Sequence, residues 1–123
     1  MQREGGDVGT DTEVTFEQGV KLQNSGTTTT DLTMCTTSYM PISNSKTVRW
    51  GNTNGNIGIL CEYKDGYTFS DYWEATQNPR TINLTGGTNV KYIRASFPIA
   101  TLDYCYVLDV TNNVYLYKGS KVE

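Results

Sequence analysis

No stretch of this sequence repeats apolar residues at i, i+3, i+4 and i+7 over the roughly 11 positions that an amphipathic helix requires. Its apolar residues come instead in short runs, two apart, broken by Gly, Asn, Asp and Ser, and threonine is the most frequent residue. Alternation of that kind buries one face of a strand, and β-branched and aromatic residues fit such a half-buried surface. The chain therefore reads as all-β with very little helix. Val14 and Phe16, then Val20 and Leu22, alternate around Gly19, whose position suggests a bulge or bend, and Asn24-Ser25-Gly26 is a turn. A second run from Thr27 leads to Tyr39-Met40-Pro41-Ile42, where Pro41 restricts its segment to an edge or a strand end.

Further strands follow in quick succession. Thr47-Val48-Arg49-Trp50 is short, and the stretch Gly51 to Asn56, which offers no apolar side chain, reads as an exposed loop. Ile57 to Tyr63 is the most apolar strand, and Lys64-Asp65-Gly66 turns it into a hairpin with Tyr67-Thr68-Phe69-Ser70. Thr81 to Leu84 ends at Gly86-Gly87. Val90 to Phe97 alternates so that Ile93, Ala95 and Phe97 share a core face, while Tyr92 and Arg94 share the other. Arg94 there either pairs with an acid on a neighbouring strand or hydrogen-bonds a ligand. Leu102 to Val110 and Val114 to Tyr117 close the series around Asn112-Asn113. About eight to ten short strands with such turns predict an antiparallel two-sheet β-sandwich of jelly-roll type. One domain is expected over residues 13–123, preceded by a flexible arm or linker at 1–12 that is rich in Gly and Asp.

Composition narrows the chemistry. The 123 residues include no histidine, which removes Ser-His-Asp and Cys-His centres and histidine-bound zinc from this chain. A net charge of −3 argues against nucleic acid, since phosphate binding needs clustered Lys and Arg. Met1 to Asp7 carries charge and glycine with no apolar run, so no signal peptide is expected in this chain, and no segment has the roughly 20 apolar residues that span a bilayer. Cys35, Cys61 and Cys105 are odd in number and widely spaced, which suits buried thiols; a Cys61–Cys105 pair across neighbouring strands stays open. Asp65 and Asp71 lack the spacing of a calcium loop, no phosphate loop is present, and the scattered acids single out no hydrolytic pair. A non-catalytic protein without metal or cofactor is expected.

Nine tyrosines and two tryptophans, set among many Asn and Thr, suit recognition of sugars, whose apolar ring faces stack on aromatics while hydroxyls bond to amides, carboxylates and guanidinium groups. Tyrosines also pack sandwich cores, so each has a structural alternative. The candidate ligand residues are Tyr67, Asp71, Tyr72, Trp73 and Glu74, which have few apolar neighbours in sequence, together with Arg80 at the end of the following loop. Trp73 is either a plug between the sheets or a stacking platform. Trp50, at a strand end beside the Gly51 to Asn56 loop, is a further candidate with a core or rim role as its alternative.

Four segments resemble a jelly-roll module of phage and prophage tail proteins and of gut-bacterial surface proteins. They are Phe16-Glu17-Gln18-Gly19-Val20, Cys35 to Ile42 with its Tyr39-Met40-Pro41-Ile42 end, Leu60 to Gly66, and Thr81 to Leu84 with the Gly86-Gly87 turn and Val90 to Phe97. Phe16 stands where tryptophan is usual, Met40 replaces a branched residue, and Lys64 replaces a common carboxylate, so no calcium site is carried over. The resemblance implies a carbohydrate-binding-module-like domain on a virion tail or bacterial surface, with a cell-surface glycan as partner. It equally admits a structural part that forms a homo-oligomer, such as a trimer, or packs against other virion proteins without binding sugar.

Overall fold

The computed structural model describes residues 14–123, so the arm expected at 1–12 lies outside the described residues. Among the described residues, ten strands form two antiparallel sheets. They are β1 (Phe16–Leu22), β2 (Thr28–Thr37), β3 (Met40–Pro41), β4 (Thr47–Asn52), β5 (Leu60–Lys64), β6 (Thr68–Trp73), β7 (Arg80–Asn83), β8 (Tyr92–Pro98), β9 (Cys105–Asp109) and β10 (Val114–Lys118). The larger sheet has the order β1-β2-β8-β5-β6, with β3 also on β8; the smaller has the order β10-β9-β4-β7. The chain is thus the all-β, two-sheet sandwich that its alternation predicts.

Period-two burial builds the core between the sheets. Ile93, Ala95 and Phe97 of β8 face Val48 and Trp50 of β4 and Val107 of β9, joined by Leu60, Ile82, Leu84, Val90 and Leu116. Burying a side chain of this size stabilises by roughly 1.5–3 kcal/mol. Trp50 is wholly buried, and its indole N–H donates to the Gly58 carbonyl at 2.9 Å, which removes its only polar group from any outside role.

A second, smaller cluster lies on the outer face of the larger sheet. Leu22, Cys61 and Tyr63 are buried there because the tip of the β1–β2 hairpin folds over β5 and β6. The Tyr63 hydroxyl donates to the Gly26 carbonyl at 2.7 Å, and the Leu22 amide donates to Ser96 Oγ at 2.8 Å. Gly26 has φ +82° and rests on the Phe69 ring, so neither its backbone nor its surroundings accept a side chain. β5 is consequently buried on both faces, with even its Glu62 inaccessible to solvent.

Several boundaries depart from the sequence reading. Gly51 and Asn52 extend β4 and are buried rather than looped out. Asn52 supplies its own loop: its amide nitrogen donates to the Asn56 carbonyl and to Thr101 Oγ1, each at 2.8 Å, and its amide oxygen accepts the Asn54 N–H. Ile57 to Ile59 runs beside β8 without entering a ladder, and Leu102 to Tyr104 belongs to a 3-10 segment at Ile99–Tyr104 instead of to β9. Pro41 does sit in a two-residue strand, β3, which continues the line of β2 after a break at Ser38 and Tyr39. Cys61 and Cys105 belong to different sheets, and all three thiols are free and buried.

Candidate functional site

The six candidates between Tyr67 and Arg80 do not form one site, and the reason is a bulge. Along β5–β6, Leu60 faces Trp73, Cys61 faces Tyr72, and Glu62 faces Asp71; Tyr63 then faces Phe69, so Ser70 has no partner. One extra residue reverses the facing of everything on one side of it. Asp71 and Trp73 therefore follow Glu62 and Leu60 toward the sandwich interior, whereas Phe69 joins Tyr63 and Tyr72 joins Cys61 on the outer face.

The inward members are tied into the fold. Glu62 is fully buried; one of its carboxylate oxygens accepts the Trp73 indole N–H and the Thr85 amide, both at 2.8 Å, and the other accepts the Gly86 amide at 3.0 Å. Three donors satisfy a buried charge that would otherwise be costly. Asp71 accepts the Tyr72 amide at 2.8 Å and the Thr85 hydroxyl at 2.5 Å. Arg80 lies over the Trp73 ring at 5.3 Å from its centroid and donates to the Glu74 carbonyl. Trp73 is partly buried against the core, with its indole N–H on Glu62, and Trp50 is corrected from ligand candidate to core residue because its ring has no free face. Glu74 lines a separate hollow of about 420 Å³, with Lys21, Leu22, Met34 and Ile59.

Tyr67 belongs to a different group. It ends the turn at Asp65–Tyr67, where Gly66 and Tyr67 have φ of +70° and +59°. A left-handed conformation costs an L-residue roughly 1–2 kcal/mol, and here it holds a tyrosine that is 54% exposed. That backbone places Tyr67 against Tyr92, with centroids 4.6 Å apart and planes 27° from parallel, and against Tyr39, also at 4.6 Å. Tyr39 comes from the break between β2 and β3, and Tyr92 from the outer face of β8. Tyr63 lies beneath, edge-on to Tyr39 at 4.9 Å.

Arg94 completes this platform. Its guanidinium carbon lies 4.7 Å from the Tyr39 ring centroid, its Nε donates to the Thr37 carbonyl at 2.9 Å, and a terminal nitrogen lies 3.8 Å from Glu17. The acid expected on a neighbouring strand is thus two strands away, reached across β2. Contact with Tyr67 pushes the Tyr92 phenol above its ordinary pKa, and burial does the same for Tyr63, so both remain neutral donors at physiological pH. The platform offers an exposed aromatic face, phenolic hydroxyls, one held guanidinium and one exposed carboxylate. Tyr39 was the residue the candidate set lacked; the Tyr92–Arg94 face of β8 was its nearest visible sign. Among the described residues, no group of three or more Cys, Asp or Glu side chains is arranged to hold a metal ion.

In comparisons with known proteins the chain matches no family model, no curated protein and no solved structure.

Proposed function

We propose that this domain is a non-catalytic binding module for a cell-surface glycan, with the Tyr39–Tyr67–Tyr92 platform as its contact surface. The observation that carries the reading is Tyr67: a large aromatic ring, more than half exposed, kept in a backbone conformation that glycine adopts at no cost. The strain of that backbone offsets much of what Tyr67 gains by packing on Tyr92 and Tyr39, so stability alone is a weak reason for tyrosine there, and stacking on a pyranose ring is a stronger one. Glu17, exposed and held near the largely covered Arg94, supplies a carboxylate to hydroxyls. A surface this shallow binds weakly at one site and gains avidity through repeated copies, the arrangement expected on a phage tail or a bacterial surface. That setting rests on the resemblance of the four segments given above.

A second reading, a structural domain that assembles with copies of itself, is favoured by Leu32. It is 80% exposed at a wide bulge of β2 beside the edge strand β1. The deciding experiment is a glycan-array and whole-cell binding screen on the purified domain, with its mass in solution measured in parallel. Saturable binding that Tyr67→Ala removes, with unchanged mass, supports the glycan module. A stable oligomer that binds no glycan and dissociates on Leu32→Lys supports the assembly part.

A further inference from the structure

The outer face of the smaller sheet carries a second aromatic surface, unconnected with the Tyr67 platform. Two cross-strand rows define it. Tyr115 of β10, Leu108 of β9, Arg49 of β4 and Thr81 of β7 stand side by side, and Lys118, Tyr106 and Gly51 form the next row. Beyond them lie Tyr104 and the loop at Thr53 and Asn54, enclosing a groove of about 630 Å³ that Lys121 and Glu123 flank. Tyr106 rests on Gly51: a Cβ at that position would stand 2.9 Å from the Tyr106 ring and 2.9 Å from Pro79. Tyr106 and Tyr115 meet edge to face at 5.9 Å, which sets two rings at different angles along the groove.

Two features mark this groove as a site rather than a packed surface. Tyr63 and Tyr117 direct their hydroxyls into the protein, to the Gly26 and Leu102 carbonyls. Among the described residues, the hydroxyls of Tyr104, Tyr106 and Tyr115 and the side-chain amide of Asn54 have no such hydrogen bond. The second feature is charge. Lys121 lies over the Tyr104 ring at 5.5 Å within the groove, and Arg49 stands outside its lining, opposite Leu108 on the same sheet face, oriented by a 2.8 Å bond from its Nε to Thr81 Oγ1. Among the described residues neither cation forms an ion pair, in a chain whose net charge is −3.

We propose that this groove is a second binding site, specific for an acidic saccharide oligomer whose rings stack on Tyr104, Tyr106 and Tyr115, with one carboxylate meeting Lys121 inside the groove and another reaching Arg49 beyond its rim. Aromatic faces and unpaired hydroxyls suit sugar rings. A guanidinium held in place by Thr81 suits a carboxylate, which it can engage through two parallel bonds. Two cations are too few to track a nucleic-acid backbone, where binding rests on many phosphates. The site and the Tyr67 platform occupy opposite faces of the sandwich, so each is testable with the other disabled.

The probe is a defined galacturonic acid oligomer, with its methyl-esterified form as the uncharged control and a single-stranded DNA oligomer as the competing polyanion. Binding is followed by calorimetry at low and at physiological salt. The free-acid oligomer is expected to bind at least about tenfold more tightly than the ester, and Lys121→Gln or Arg49→Gln to weaken it about tenfold, the size of one charge-assisted hydrogen bond. Tyr115→Ala weakens both oligomers, and Tyr67→Ala neither. Glu123→Gln, which removes a carboxylate at the rim, strengthens the free acid. Tyr115→Phe, which keeps the ring, controls for folding. Equal affinity for acid and ester, tighter binding of the DNA, absence of binding, or loss with Tyr67→Ala alone overturns the proposal.

Discussion

Glu62 shows how a single residue sets the local structure in a way that hydropathy conceals. A glutamate between Cys61 and Tyr63 reads as the solvent side of an alternating strand, yet it is fully buried because Trp73, Thr85 and Gly86 bring three donors to it. Replacing it with glutamine turns one oxygen into a donor facing other donors. Glu62→Gln is therefore expected to cost about 2–4 kcal/mol, read as a lower urea midpoint, whereas Glu17→Gln on the surface stays within about 0.5 kcal/mol. The thiols behave in the opposite sense. Burial pushes Cys35 up to about 11 and Cys61 and Cys105 up to about 12, from an ordinary value of 9.0. With folded pKa values above unfolded ones, their contribution is complete below pH 9.0 and is lost as pH rises toward about 11 to 12, because only the unfolded chain ionises. The native protein should leave all three thiols unreactive toward a disulfide reagent at neutral pH, and stability should fall above pH 9.0. A stoichiometric reaction without unfolding would contradict this burial.

Among the elements, the β1–β2 hairpin and the β5–β6 hairpin depend on one another. Gly26 at the tip of the first rests on Phe69 of the second, so Gly26→Ala combines a clash with an unfavourable φ. The expected cost is at least about 2 kcal/mol, and the hairpin tip should lose amide-exchange protection before the rest of the larger sheet. These elements also show what alternation reveals and what it hides. The core face of β8 was legible from Ile93, Ala95 and Phe97 because both neighbouring strands pair with it in regular register. The candidate cluster was not, because the unpaired Ser70 separates the facing of Phe69 from that of Asp71 and Trp73, and a bulge leaves no period-two signal of its own. Asn52 was misread for a related reason: its buried amide is satisfied by its own loop, a pairing that composition does not encode.

For the whole molecule, two sheets packed around one core leave two outer faces, and the chain decorates both with tyrosine. On the larger sheet the rings stack on one another beside Arg94; on the smaller they line a groove with Lys121 and Glu123. If both surfaces bind sugar as proposed, the domain would bridge two chains of a surface polysaccharide, and repeated copies would multiply that effect. The sandwich architecture was readable from strand spacing, whereas the placement of the tyrosines depends on which face each strand turns outward.

The most direct test of the account joins stability and binding in one variant, Tyr67→Gly. Glycine removes about 1–2 kcal/mol of left-handed strain and forfeits about 0.5–1.5 kcal/mol of ring stacking together with about 1 kcal/mol of burial from the half-covered ring, so the net cost is small. Denaturant unfolding should place the variant within about 1 kcal/mol of the parent, while binding to the glycan found in the screen disappears. A variant that loses several kcal/mol, or one that keeps its affinity, would mean that Tyr67 serves the fold or nothing at all, and the platform would not be the binding site.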